Sequence, residues 1–197
     1  MADPFEDEFF AGEDWYGREF GAESFVRCTF SDIDLTDSTS RGTVFEECTF
    51  GNVRLNASAH ADSAFLRCTF ERCTLFGAEF TGCKLTGSVF VDTDLRPLRV
   101  LGGDLSFTVL RLADLRGVSI SGARMCEADL TEANCEGARL VDTDLSGARV
   151  HKANLAGADL RGSNLAGIDP RTVDLAGAVI RAEQALQLAQ ALGLDVR

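Results

Sequence analysis

The chain has 197 residues, 45% of them hydrophobic, and a formal net charge of -12 with an isoelectric point near 4.6. That is enough apolar material for a sizeable core, and a single domain is the default. So acidic a surface argues against direct binding to nucleic acid or an anionic membrane, because phosphate recognition draws on Lys and Arg; a basic protein partner fits better.

Residues 1–7 form an acidic N-terminal segment that lacks the positive and apolar regions of a secretory signal, and no apolar run approaches a membrane span. A cytoplasmic location is expected. The seven cysteines include no C-x-x-C pair and no spacing suited to zinc or a disulfide framework, so reduced thiols are expected and no cofactor or metal is implied.

From residue 8 to residue 180 the chain repeats every five residues. Apolar centres stand at Phe10, Trp15, Phe20, Phe25, Phe30 and Leu35, run on through Phe90 and Leu95, and continue to Leu165; only Ser40, His60 and Cys135 interrupt them. Small residues such as Cys28, Cys48, Cys68, Ala128 and Ala158 precede the centres by two positions, so they too must face inward. Glycine follows by two positions, at places such as Gly12, Gly77, Gly117 and Gly177, where a corner needs positive φ.

A period of five suits neither helix nor strand. It suits a coil that turns a corner every five residues and closes a square every twenty, with successive turns stacked by parallel pairing at ~4.8 Å. Phe10, Phe30, Phe50, Phe70 and Phe90 then form one interior ladder, and Cys28, Cys48 and Cys68 another. Buried thiols in such a column are ordinary core residues.

Outward positions hold the acids. Asp34, Asp94 and Asp114 share one column with Asp14 and Asp174, and Asp32, Asp37 and Asp92 flank it. Two readings stand: a DNA-like acidic surface that binds a cationic partner, or Asp side chains that satisfy backbone groups at the corners. Arg54, Arg96 and Arg116 interrupt the column, and residues 1–50 carry most of the excess charge, with 13 acids and three bases.

His60 and Ser40 replace apolar centres in one column, which predicts a local opening or bulge with His60 turned to solvent or hydrogen-bonded. With His151 far away there is no catalytic constellation, and no enzyme is expected. Outward positions turn apolar at Leu101, Phe107, Val109 and Leu112 beside Pro97, either as a misfit in the coil or as a partner contact.

Residues 181–197 end the pattern. Arg181 to Gly193 reads as a short amphipathic helix with Ala182, Ala185, Leu186, Ala189 and Leu192 on one face and Gly193 as its stop. Such a helix is marginal alone. It either caps the last coil or makes a twofold dimer contact.

Ala-Asp-Leu-Thr-Glu (128–132), Ala-Asn-Leu-Ala-Gly (153–157) and Ala-Asp-Leu-Arg-Gly (158–162) resemble the repeating unit of pentapeptide repeat proteins. That resemblance implies an all-β solenoid, a right-handed quadrilateral β-helix, over nearly the whole chain, followed by the short C-terminal α-helix. Residues 87–91, 95–98 and 141–149 are further similar to the MfpA/Qnr quinolone-resistance group, its MfpA-like branch in particular. That likeness implies a non-catalytic DNA mimic with DNA gyrase, a type II topoisomerase, as partner, and a homodimer joined through the C-terminal helix. The alternative is a structural or adaptor solenoid with an unrelated partner.

Overall fold

The computed structural model describes residues 3–195, so the first two and last two residues of the expected N- and C-terminal segments lie outside the described residues. The chain winds as a coil of twenty residues per turn with four sides. Three sides are parallel sheets of four, five and seven short strands, and the remaining side, third in chain order, is held by single bridges.

The first side carries Phe5, Phe25, Phe45 and Phe65, the second Phe10 through Phe90, and the fourth Phe20, Ser40, His60, Phe80, Val100, Ile120 and Leu140. Bridges such as Asp14 to Asp34 and Arg54 to Thr74 join the third side, whose inward residues are Trp15, Leu35, Leu55, Leu75 and Leu95. The coil begins earlier than the expected boundary at residue 8. Phe5 sits on the same five-residue register and already pairs with Phe25.

Side-chain size in the lumen drives the stacking. Phe30, Phe50 and Phe70 lie face to face with centroids 4.8 Å apart, and Phe25 meets Phe30 edge-on at 5.6 Å. All four rings are buried, and each is worth about 1.5–3 kcal/mol relative to an exposed one. Stacked and edge-on contacts add to that burial.

The corners confirm the need for positive φ. Gly117 has φ 75°, and non-glycine residues in the same place follow suit, including Asp32 at 55°, Asp37 at 58° and Asp92 at 48°. At Leu centres the corner closes with a turn bond, as where Ala78 N–H donates to Leu75 C=O at 3.0 Å. At many Phe centres that bond is replaced from the next coil: Cys48 donates its thiol to Phe25 C=O at 3.4 Å, and Cys68 donates to Phe45 C=O at 3.3 Å. This explains why Cys follows Phe and Ala follows Leu. Burial pushes the thiol of Cys73 up to about 11 and that of Cys135 up to about 12, so both stay protonated.

The expected bulge at His60 is absent. The strand Ala59–Ala61 pairs in register on both sides, and the ring stays in the lumen, 4% exposed. Its nitrogens are satisfied inside, Nδ1 by Ser40 Oγ at 2.8 Å and Nε2 by Ser58 Oγ at 3.1 Å. Hydroxyls placed one coil above and two residues back therefore remove the reason for the ring to leave.

Candidate protein-binding surface

The third side and its corners gather the acids singled out from sequence. Asp34, Asp94 and Asp114 lie in the column itself; Asp32 and Asp92 occupy the corner before it, and Asp37 the corner after it. They fall into two groups, separated where Arg54 and Thr74 take the column positions.

Each column Asp first serves the backbone. Thr36 N–H donates to Asp34 at 3.0 Å, Arg96 N–H to Asp94 at 3.2 Å and Arg116 N–H to Asp114 at 3.2 Å. The same two-residue motif recurs at Asp104, Asp129 and Asp144 on other sides of the coil, so it belongs to the corner and is independent of any partner.

Arginines then answer the remaining charge. Arg54 reaches back one coil to Asp34 at 2.8 Å, while Arg96 and Arg116 both reach Asp114 at 2.6 Å. The hydrogen bond from Arg54 holds the Asp34 carboxyl down at about 2, and that from Arg116 lowers Asp114. Asp32 is lowered chiefly by its hydrogen bond from Asn52, and Asp37 accepts one from the Tyr16 hydroxyl. Similar twenty-residue pairs, Asp7 with Arg27 and Glu79 with Arg99, recur along the coil. Exposed pairs of this kind are individually weak and act against the repulsion between stacked acids.

The C-terminal helix, Ala182–Ala191, ends in a Schellman motif: Gly193, at φ 83°, donates to Gln190 C=O, and Leu194 N–H donates to Ala189 C=O. Its anchor is Gln184, which the apolar pattern did not single out. The Gln184 side-chain amide donates to Leu160 C=O and Ser163 C=O, both at 2.7 Å, and its oxygen accepts from Arg181 N–H and Gly162 N–H. Leu188 packs against the core, and Ala189 is half-buried. Ala182, Ala185, Leu186 and Leu192 face solvent.

The apolar positions near Pro97 also separate. Leu101 lies on the fourth side, across the coil from Val109 on the second, while Phe107 and Leu112 stand at the two corners bounding that second side.

Parallel coils of twenty residues, turned at five-residue intervals around a ladder of stacked side chains, define a β-solenoid. The chain belongs to the pentapeptide repeat family, whose model matches eight copies over residues 62–96, 108–147 and 153–181. It is 40% identical over 98 residues to the pentapeptide repeat protein MfpA of Mycobacterium tuberculosis strain H37Rv, a match spanning 50% of this chain and 43% of that protein. Two solved structures of QnrB1, a plasmid-mediated fluoroquinolone resistance protein, share the fold. A trypsin-treated variant is 23% identical with a TM-score of 0.60, covering 98% of this chain and 99% of that one. The full-length form is 22% identical with a TM-score of 0.52, covering 98% and 100%. No helix among the described residues is long and apolar enough to cross a membrane.

Proposed function

We propose that this chain is a non-catalytic binding protein of the cytoplasm that engages DNA gyrase, a type II topoisomerase, and modulates it or relieves its inhibition by a quinolone. The observation that carries this reading is the 40% identity to MfpA, set on a rod with a mid-length acidic group at Asp92, Asp94 and Asp114. These carboxylates would stand in for backbone phosphates. The mimicry is partial, because Arg54, Arg96 and Arg116 hold part of the column.

We further propose that the exposed face of the C-terminal helix joins two copies tail to tail. Leu186 is 42% exposed and Leu192 48%, which leaves a small apolar face beside an anchored helix.

Purified gyrase supercoiling relaxed plasmid tests the first reading. Added protein is expected to slow supercoiling or to reduce quinolone-stabilised cleavage, and charge reversal at Asp92, Asp94 and Asp114 should weaken the effect most at low salt. No effect on either activity rejects gyrase as the partner. The corner hydrogen bonds and arginine pairs favour a second reading, an adaptor solenoid whose acids are structural; a specific partner other than gyrase recovered from cell extract would support it.

A further inference from the structure

Along most of the coil, the N–H of a corner residue and that of the apolar centre three residues later each donate to a carbonyl nineteen residues ahead. Arg72 reaches Val91 at 3.0 Å, Leu75 reaches Asp94 at 2.8 Å, Leu112 reaches Thr131 at 3.1 Å and Leu115 reaches Asn134 at 2.7 Å. The same rule calls for Asp92 N–H to reach Arg111 C=O and for Leu95 N–H to reach Asp114 C=O. Neither bond forms, and the companion bond from Asp114 N–H to Thr93 C=O is missing as well. Pro97 has no N–H with which to continue the series.

The two coils part at this corner. Positions equivalent to Thr93 and Ala113 are buried from Cys28 to Ser88, yet these two are half-exposed. Between them opens a cleft of about 560 Å³. Its apolar lining includes Val89, Val91, Val109 and Leu112, Arg96 on its wall reaches Asp114 at 2.6 Å, and Asp92 lines it as well.

Two features of the lining gain nothing for the fold. Leu112 is 71% exposed and sits at φ 61°, a corner conformation that elsewhere is taken mostly by glycine or polar residues. A bulky apolar residue is disfavoured there, and such outliers cluster at functional sites. Asp92 makes no ion pair and no side-chain hydrogen bond among the described residues, although arginines answer Asp34, Asp94 and Asp114.

We propose that this cleft is a docking site for an extended segment of a partner protein, carrying one Arg or Lys between apolar side chains. The backbone groups left open at Asp92, Leu95 and Arg111 take main-chain hydrogen bonds from the segment. Val91 and Leu112 cover its apolar side chains, and Asp92 receives the cation. A second copy of this chain is a poor occupant: at net -12 it would bring like charge to Asp92, Asp94 and Asp114. The site stands whether or not gyrase is the partner.

Random peptides displayed on phage, selected on the full chain and counter-selected on the Leu112→Gly, Asp92→Lys double variant, test the proposal. Glycine suits the corner, so the variant should keep its circular dichroism and melting profile; Leu112→Asn serves if it does not. Enriched sequences are expected to share a basic residue flanked by apolar ones. A synthetic peptide of that sequence should bind the native chain about tenfold more tightly than either single variant, and exchanging its cation for Glu should abolish binding. Three results overturn the proposal: no enrichment over the double variant, an acidic or cation-free consensus, or peptide affinity unchanged by both substitutions. Self-association of the native chain that Leu112→Gly abolishes would overturn it too, by making a second copy the occupant.

Discussion

Ser40 Oγ and His60 Nδ1 lie 2.8 Å apart inside the lumen, one coil from each other, and Ser63 Oγ closes on Ser40 at 2.9 Å. The aromatic column of the fourth side runs from Phe20 to Phe80 with this polar pair set into it. Burial therefore acts on a titratable ring.

The first expectation is acid sensitivity. Burial holds the His60 ring at about 4, against 6.5 for a free histidine. The unfolded chain takes up the proton first, so this group's contribution to stability is complete above pH 6.5 and is lost as pH falls from there toward 4. The loss amounts to about 3 kcal/mol. Urea denaturation of native chain and His60→Phe at pH 7 and pH 4.5 measures it: the variant should lose distinctly less stability between the two, and equal losses would contradict the assignment.

Gln184 ties the helix to the last coil through two carbonyls, Leu160 C=O, which also accepts the turn bond from Ser163 N–H at 3.1 Å, and Ser163 C=O. Gln184→Leu keeps the bulk but leaves Ser163 C=O unpaired and Leu160 C=O with its turn bond alone, at a cost of about 1–3 kcal/mol. Limited proteolysis should then clip the chain near Ile180 faster than in the native protein, while the repeat core stays intact.

Two glycines separate backbone strain from steric conflict. A Cβ on Gly103 would lie 2.1 Å from Cys83 C=O, whereas one on Gly117, at a comparable φ of 75°, meets nothing within 4 Å. Gly117→Ala should cost about 1–2 kcal/mol, the strain of the left-handed region alone. Gly103→Ala should cost clearly more, because two coils must part; similar melting temperatures for both variants would be unexpected.

The tail-to-tail contact is tested by Leu186→Glu combined with Leu192→Glu. Both side chains are exposed in the single copy, so the substitutions should leave the monomer's stability nearly unchanged. Sedimentation should show a dimer for the native chain and a monomer for the variant. A native chain that is monomeric at micromolar concentration removes the dimer.

Much of this protein is legible in its sequence because its rules are local. A five-residue spacing of Phe and Leu sets what fills the lumen, and glycine two positions later sets where the chain turns. Gly193 likewise ends the helix where the sequence places the stop. Relationships between coils are different, since they depend on side chains about twenty residues apart meeting across a stack. Arg54 answering Asp34, the hydroxyls that keep His60 inside and Gln184 reaching Leu160 all arise that way. So does the parting of coils at Asp92 and Asp114: the five-residue frame runs through it unbroken, and only the three-dimensional register of hydrogen bonds opens it.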